Sequence, residues 1–140
     1  MRYMIIVKST PEFEAQTNLV PDEAVLAAMA TYHEELASAG VLLDGSGLHP
    51  SREGWRVLYG AHERHIVDGP FTEAKELIAG YTLIQVRSRE EAWEWSRRFP
   101  NPVGEGREAV IEVRRLIELE EFPQNETMER FKQMNEDRLQ

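Results

Sequence analysis

The densest group of ionisable side chains in this 140-residue chain follows an apolar segment and a turn. It lies in the stretch Val67-Asp68-Gly69-Pro70-Phe71-Thr72-Glu73-Ala74-Lys75-Glu76. Gly69 can supply a positive φ and Pro70 fixes its own φ, so the segment before them must end and turn. The Asp68 carboxylate could accept backbone N–H groups of that turn, or it could act as a general base in a cleft. The sequence leaves both roles open.

Three further charged side chains follow the turn, namely Glu73, Lys75 and Glu76. In a cleft they would supply an acid, a cation and a base, and we treat them as candidate substrate-binding residues. The alternative is the solvated first turn of a short helix that begins at Thr72 or Glu73.

The histidines stand at positions 33, 49, 62 and 65. His33 lies near the apolar side of a predicted helix and is the best placed to point at a sheet, either as a core residue or as a catalytic one. His65 lies on the opposite face of a regular strand from Asp68, so a pair between them needs a bend at Asp68. The candidate catalytic residues are therefore Asp68, His33 and His65.

No histidine pair has metal-ligand spacing, and no glycine-rich phosphate loop opens a helix. We therefore predict no metal site and no cofactor.

Hydrophobic periodicity and capping residues predict the elements that position these side chains. A nearly continuous apolar strand runs from Tyr3 to Val7, and a helix from Asp22 to Ala39 is closed by Gly40. Glu12 to Val20 is polar and unpatterned, so no regular element is expected there. The later elements are a strand opening at Val41, a hairpin over 55–59 and 64–67, a strand over 78–86, a helix beginning with a Ser88 capping box, and a strand over 109–117.

The C-terminal segment carries Met128, Phe131 and Met134 at short steps among charged residues. Because this apolar stripe is thin, a helix here must pack on a neighbour or fray. We divide the chain into a domain over residues 1–117 and a C-terminal acidic helical tail over residues 118–140.

The order β-α-β, hairpin, β-α-β predicts an α+β fold with a split βαβ arrangement and an antiparallel sheet. Two helices cover one face of such a sheet, yet the strands at Tyr3 and Ile78 are apolar on both sides. The other face needs a cover, and a second copy of the sheet provides one. We therefore expect a homodimer whose interface encloses a cavity or leaves a cleft.

Composition limits the function classes. A formal net charge of −9 argues against nucleic-acid and anionic-membrane partners, which require a concentrated positive field. The chain has no cysteine, which fits a reducing compartment, and no apolar run approaches the roughly 20 residues of a membrane span. The expected location is the cytoplasm.

The chain also resembles a known family over about residues 1–117. The similarity is to the YciI-like (YCII-related) proteins, and specifically to the subgroup named for its DGPF motif. The matching residues are Met1-Arg2-Tyr3-Met4, Gly45-Ser46-Gly47-Leu48-His49-Pro50, the stretch 67–76 with Gly80-Tyr81, Glu91-Ala92, and Ile111-Glu112-Val113-Arg114.

The resemblance implies a ferredoxin-like α+β fold that dimerises into an α+β barrel, with a largely unassigned biochemical role. YciI-like relatives have been proposed to use a histidine and an aspartate in the cleft, and Asp68 matches the motif aspartate. Two features depart from the family: Ala74 replaces the usual threonine of the turn, and the tail from about Glu118 is not explained by the resemblance, because the family commonly ends soon after its final strand.

Two functions follow as hypotheses. The first is acid–base chemistry, of isomerase or lyase type, on a small neutral molecule in a cleft near Asp68. The second is a non-catalytic ligand-binding or regulatory dimer module that acts through its dimer or its tail.

Overall fold

The computed structural model describes residues 1–16 and 22–139. The strands are β1 (Arg2–Lys8), β2 (Leu42–Gly47), β3 (Trp55–Tyr59), β4 (Arg64–Asp68), β5 (Ile78–Gln85) and β6 (Ile111–Arg115). The α-helices are α1 (Pro11–Glu14), α2 (Glu23–Ser38), α3 (Arg89–Arg97) and α4 (Glu126–Arg138). Single 3₁₀ turns cover Ser51–Glu53, Ala74–Glu76 and Leu119–Glu121.

The strands form two antiparallel sheets. The larger has the order β2-β5-β1-β6, with α2 connecting β1 to β2 and α3 connecting β5 to β6. Among the described residues, strands β3 and β4 pair only with each other, and this hairpin stands between the two β-α-β halves. The predicted α+β class with an antiparallel sheet and an inserted hairpin is therefore confirmed.

Helix ends follow the capping signals in the sequence. The Asp22 carboxylate accepts from the Ala24 amide at 2.8 Å, and the Ser88 hydroxyl accepts from the Glu91 amide at 3.1 Å. Gly40 has a φ of 74°, the left-handed conformation that commonly follows a helix. These local bonds explain why the starts of α2 and α3 could be predicted.

One helix was not predicted. The expectation of no regular structure from Glu12 is wrong for α1, whose residues Pro11–Glu14 form one helical turn. The Thr10 hydroxyl accepts from the Phe13 amide at 3.1 Å and Pro11 begins the helix. Four residues are too few to show helical periodicity, which is why the pattern missed them. The rest of that expectation, over residues 17–20, lies outside the described residues.

The core lies between the large sheet and the helices α2 and α3. Ile5, Ile84 and Leu36 are fully buried, and Tyr32 and Ala92 pack with them. Ile111 packs against this core from β6, whereas its neighbour Val110 is exposed.

The opposite face of the large sheet is only half-buried. Its central residues alternate with the core residues along β1 and β5, and they are Met4, Ile6, Tyr81 and Leu83. The expectation that both faces of these strands are covered is therefore not met within one chain.

The tail forms a helix with no buried residue. Asn125 caps α4 by accepting from the Met128 amide at 3.1 Å, while Phe131 and Met134 are about half exposed. The segment before it is fastened to β1, since Arg2 donates two hydrogen bonds of 3.0 Å to the Glu118 carboxylate. Among the described helices, none combines the length and the apolar composition needed to cross a membrane.

Candidate functional site

Asp68 ends β4 opposite Trp55, and its side chain is exposed. The carboxylate makes no hydrogen bond within residues 1–16 and 22–139. Turn capping by Asp68 is therefore not observed. The Gly69 amide instead donates to the Gly54 carbonyl at 2.9 Å and continues the hairpin.

Glycine is required at position 69 because the backbone there approaches Ser51 closely, and not because it has a positive φ. Among the described glycines, only Gly40, Gly104 and Gly106 have positive φ, which corrects the sequence-based explanation. A Cβ atom on Gly69 would lie 1.9 Å from the Ser51 carbonyl oxygen. The backbone of the turn therefore packs directly on the 3₁₀ turn at Ser51.

Ser51 and Glu14 fasten the turn. The Ser51 hydroxyl accepts from the Phe71 amide at 2.9 Å and donates to Glu14 Oε1, and the Ser51 amide donates to Glu14 Oε2 at 3.1 Å. Neither residue was predicted, because both lie far from Phe71 along the chain and carry no local signal.

The charged residues after the turn do not form one cluster. The predicted short helix is a single 3₁₀ turn, and the Glu73 side chain does not cap it. The Thr72 hydroxyl donates to Glu73 Oε1 at 2.9 Å, and this bond holds the pKa of Glu73 below its usual value. Glu76 is exposed, whereas Lys75 lines a cleft together with Lys8 and Arg107.

The three candidate catalytic residues are also separate in the structure. His65 lies on β4, is 63% exposed and has Nε2 3.7 Å from Glu63 Oε1. No bend brings it to Asp68, since β4 runs regularly from Arg64 to Asp68 opposite β3. His33 lies on α2 against the large sheet, where both of its ring nitrogens have other partners.

His33 is held in one orientation by two hydrogen bonds. Its Nδ1 lies 2.7 Å from the Met29 carbonyl oxygen, and its Nε2 lies 2.8 Å from Thr82 Oγ1. Because a carbonyl oxygen only accepts, neutral His33 must carry its hydrogen on Nδ1. Nε2 is then an acceptor, and the Thr82 hydroxyl donates to it. The fold thus brings an unprotonated nitrogen and a hydroxyl donor together.

Aromatic rings support His33 from one side. Tyr32 and Phe99 meet its ring edge-to-face, with ring centroids 5.7 and 6.5 Å away. The Tyr32 hydroxyl donates to the Trp95 carbonyl at 2.6 Å, and burial raises the pKa of Tyr32 to about 12.

A cleft of about 510 Å³ lies beside this pair, between α2, the loop after α3 and the large sheet. We call it the His33 cleft. His33 and Thr82 line it together with mainly apolar side chains, among them Phe13, Val25, Leu26, Met29 and Phe99.

Gly45 keeps the histidine accessible from β2. A Cβ atom at this position would lie 3.4 Å from His33 Nε2, whereas one on Gly47 would meet nothing closer than 4.0 Å. The missing side chain at Gly45 therefore leaves space beside the basic nitrogen.

Metal binding finds no support in the described part of the chain. No group of three or more histidine, cysteine, aspartate or glutamate side chains is arranged to hold an ion there.

Comparison with known proteins places this architecture in a family. An uncharacterized protein of Rhizobium meliloti (strain 1021) is 27% identical to the chain over 101 residues, which covers 72% of this chain and 82% of that protein. The family model of the YCII-related domain matches residues 1–120. The chain therefore belongs to the YCII-related domain family.

Proposed function

We propose that the protein binds a small molecule with an apolar body in the His33 cleft and catalyses proton transfer of isomerase or lyase type. The observation that carries this proposal is the His33–Thr82 pair at the wall of the cleft. A nitrogen base that is oriented by a third group, here the Met29 carbonyl, has the arrangement of a general base. The proposed centre is thus His33 and not Asp68.

The two side chains have complementary tasks. In the proposed step the Thr82 hydroxyl turns from His33 to a carbonyl oxygen of the substrate and donates its hydrogen there, which frees the Nε2 lone pair of His33. Nε2 then takes a proton from the adjacent carbon, and the electron pair of that C–H bond moves into an enolate whose oxygen Thr82 stabilises. Return of the proton to another carbon gives an isomer, and expulsion of a leaving group gives a lyase reaction.

Deuterium exchange tests this function with any compound that carries a C–H bond beside a carbonyl group. The protein is incubated in D₂O with a panel of small ketones and lactones, and loss of the α-carbon proton signal is followed by ¹H NMR. General-base catalysis contributes about 10²- to 10⁴-fold, so His33→Asn should reduce the exchange rate by at least about 100-fold. Asp68→Asn should leave the rate unchanged.

A matched glycine pair controls for the position of the ligand. Gly45→Ala adds a methyl group beside Nε2 and should slow exchange, while Gly54→Ala should not, because Gly54 lies outside the His33 cleft and its added atom would meet nothing closer than 3.6 Å. If panel compounds bind but no α-proton exchanges, catalysis is wrong and a ligand-binding module is the remaining function.

We also propose that the protein is a homodimer formed through the half-buried face of the large sheet. Its apolar centre at Met4, Ile6, Tyr81 and Leu83 supports this proposal, because an apolar face of this kind is stabilised by a second layer. Pairing of two such faces would give the α+β barrel. Light scattering should give the mass of two chains, and Leu83→Glu should give the mass of one.

The hairpin supports the same proposal. Trp55, Tyr59 and Ile66 are 64%, 72% and 70% exposed, and isolated two-stranded hairpins are marginally stable in water. We propose that a second copy covers part of this surface.

Within the family, we propose that the chain belongs to the DGPF-motif subgroup. The support is the sequence from Val67 to Glu76, in which Gly69 makes the close contact with Ser51. We propose a cytoplasmic location, which the absence of cysteine supports.

A regulatory module is the second candidate function. The observation that favours it is α4, which presents Phe131 and Met134 to solvent as part of the proposed tail over residues 118–140. Removal of residues 123–140 should then abolish binding of a protein partner while leaving the thermal unfolding of the rest of the chain unchanged.

A further inference from the structure

We propose that the ligand of the His33 cleft is an organic anion, whose carboxylate or phosphate group is bound by Lys8, Lys75 and Arg107 in an adjoining cleft. The inference rests on the proposed function for the location of the ligand, and it adds the chemical class of that ligand.

The adjoining cleft has a volume of about 920 Å³. We call it the Lys8 cleft. Lys8, Thr10 and Val103 line both clefts, so the two share a wall. The proposed ligand extends past these shared residues, with its anionic group in the Lys8 cleft and its other end beside His33.

The Lys8 cleft differs in charge from the rest of the protein. Lys8, Lys75 and Arg107 line it against two carboxylates, Glu12 and Glu108, which leaves a net charge of +1. The whole chain has a formal net charge of −9. A cationic cleft on such a protein favours an anionic ligand over a neutral or cationic one.

The three cations are not engaged by acidic side chains. Throughout residues 1–16 and 22–139, no carboxylate lies within 4.0 Å of the Lys8, Lys75 or Arg107 nitrogens. Among the described residues, the Arg107 side chain donates only to the Val103 carbonyl, at 3.3 Å. Their charge is therefore available to a ligand.

Ser9 gives an independent indication at the same wall. It is only 5% exposed, and its hydroxyl has no hydrogen-bond partner among the described residues. A buried hydroxyl without a partner is unfavourable, and rotation of the side chain toward the cleft would let it donate to an anion.

Matched probes test the proposal by calorimetry. Phenylacetate and phenyl phosphate each carry an apolar ring and an anionic group. Phenylacetamide is the uncharged counterpart of phenylacetate, and inorganic phosphate is an anion without the ring. Phenylacetate or phenyl phosphate should bind at least about tenfold more tightly than phenylacetamide, since charge-assisted hydrogen bonds are the stronger ones. Both should also bind more tightly than inorganic phosphate. The relative affinities of the two anions identify the preferred head group.

Variants locate the anion. Lys75→Gln and Arg107→Gln change exposed side chains, so the fold should be kept, and each should weaken binding of the tighter anion by about threefold to tenfold. Lys8→Gln should act in the same direction. Binding of phenylacetamide should not change. Arg89→Gln removes the same charge on α3, outside both clefts, and should leave all affinities unchanged.

Equal affinity for phenylacetate, phenyl phosphate and phenylacetamide would overturn the proposal. Two other results would also overturn it: anion binding that is unchanged in all three cation variants, and no binding of any ring compound. Failure of the proposed function is a different result. In that case the anion preference persists, but His33→Asn does not slow α-proton exchange.

Discussion

His33 Nε2 lies 2.8 Å from Thr82 Oγ1, a contact between α2 and β5 across 49 positions of the chain. Since Nδ1 faces the Met29 carbonyl, the contact defines which nitrogen is basic. It also connects the helix layer to the sheet at the wall of the His33 cleft.

The first prediction concerns this contact. Thr82→Val keeps the side-chain shape but removes the donor to Nε2, and should lower the free energy of unfolding by about 1 kcal/mol. Urea unfolding followed by tryptophan fluorescence measures the change. A double-mutant cycle combines this change with His33→Leu. The decreases in the free energy of unfolding of the two single variants should sum to more than the decrease in the double variant. Strict additivity would show that the pair is not coupled.

The tautomer of His33 is a second prediction. Long-range ¹H–¹⁵N NMR, recorded where the His33 ring is neutral, should show a protonated Nδ1 and an unprotonated Nε2. The opposite pattern would mean that the Met29 carbonyl does not orient the ring. His49, which is exposed, serves as the internal reference.

The third prediction concerns the turn. Gly69→Ala would place a methyl group 1.9 Å from the Ser51 carbonyl oxygen and must move one backbone segment away from the other. We expect a loss of roughly 2 kcal/mol in the free energy of unfolding, in the range of overpacked positions. Gly47→Ala is the control, because its added atom would meet nothing closer than 4.0 Å. Similar losses in the two variants would show that the contact does not limit stability.

The fourth prediction is an alkaline loss of stability. Burial raises the pKa of Tyr32 to about 12, while an unfolded tyrosine has a pKa near 10. Below pH 10 both states hold the proton. Above it the unfolded state loses its proton first, so stability falls as the pH rises from about 10 towards 12, by on the order of 2 kcal/mol. Urea unfolding of the wild type and Tyr32→Phe measures this. The variant should lack this part of the decline, and an equal decline in both proteins would contradict the assignment.

The fifth prediction is an acid-sensitive attachment of the segment before α4. The Arg2 hydrogen bonds lower the pKa of Glu118 in the folded protein. Their contribution to the free energy of unfolding is therefore fully present above the pKa of Glu118 in the unfolded chain, and it is lost as the pH falls through the pKa in the folded protein. Glu118→Gln should cost up to about 1 kcal/mol at pH 7, and the difference from wild type should shrink below about pH 4. Glu112→Gln, in the more exposed pair with Arg114, should cost less. A difference that is constant from pH 3 to 7 would argue against this ion pair.

Much of the fold could be predicted because its determinants are local. Asp22 and Ser88 cap helices through amides two and three positions away, so their signals lie within single segments. Apolar strands on either side of these helices then determine the α+β class. The four-residue α1 was missed because its only signals are one cap and one proline.

The candidate site was predicted in part, and its assembly depended on tertiary structure. His33 and Lys75 were both selected from the sequence, and each lines a cleft, whereas Asp68 and His65 lie on an exposed hairpin. No local pattern connects His33 to Thr82 or Lys75 to Arg107. The register of β1, β2 and β5 and the packing of helices on one sheet face bring the members of each pair to the same cleft. The sequence by itself determined the elements and the residue types available for chemistry. Tertiary structure decided which of them meet, since hydrogen bonds and cleft walls form between segments that only folding brings together.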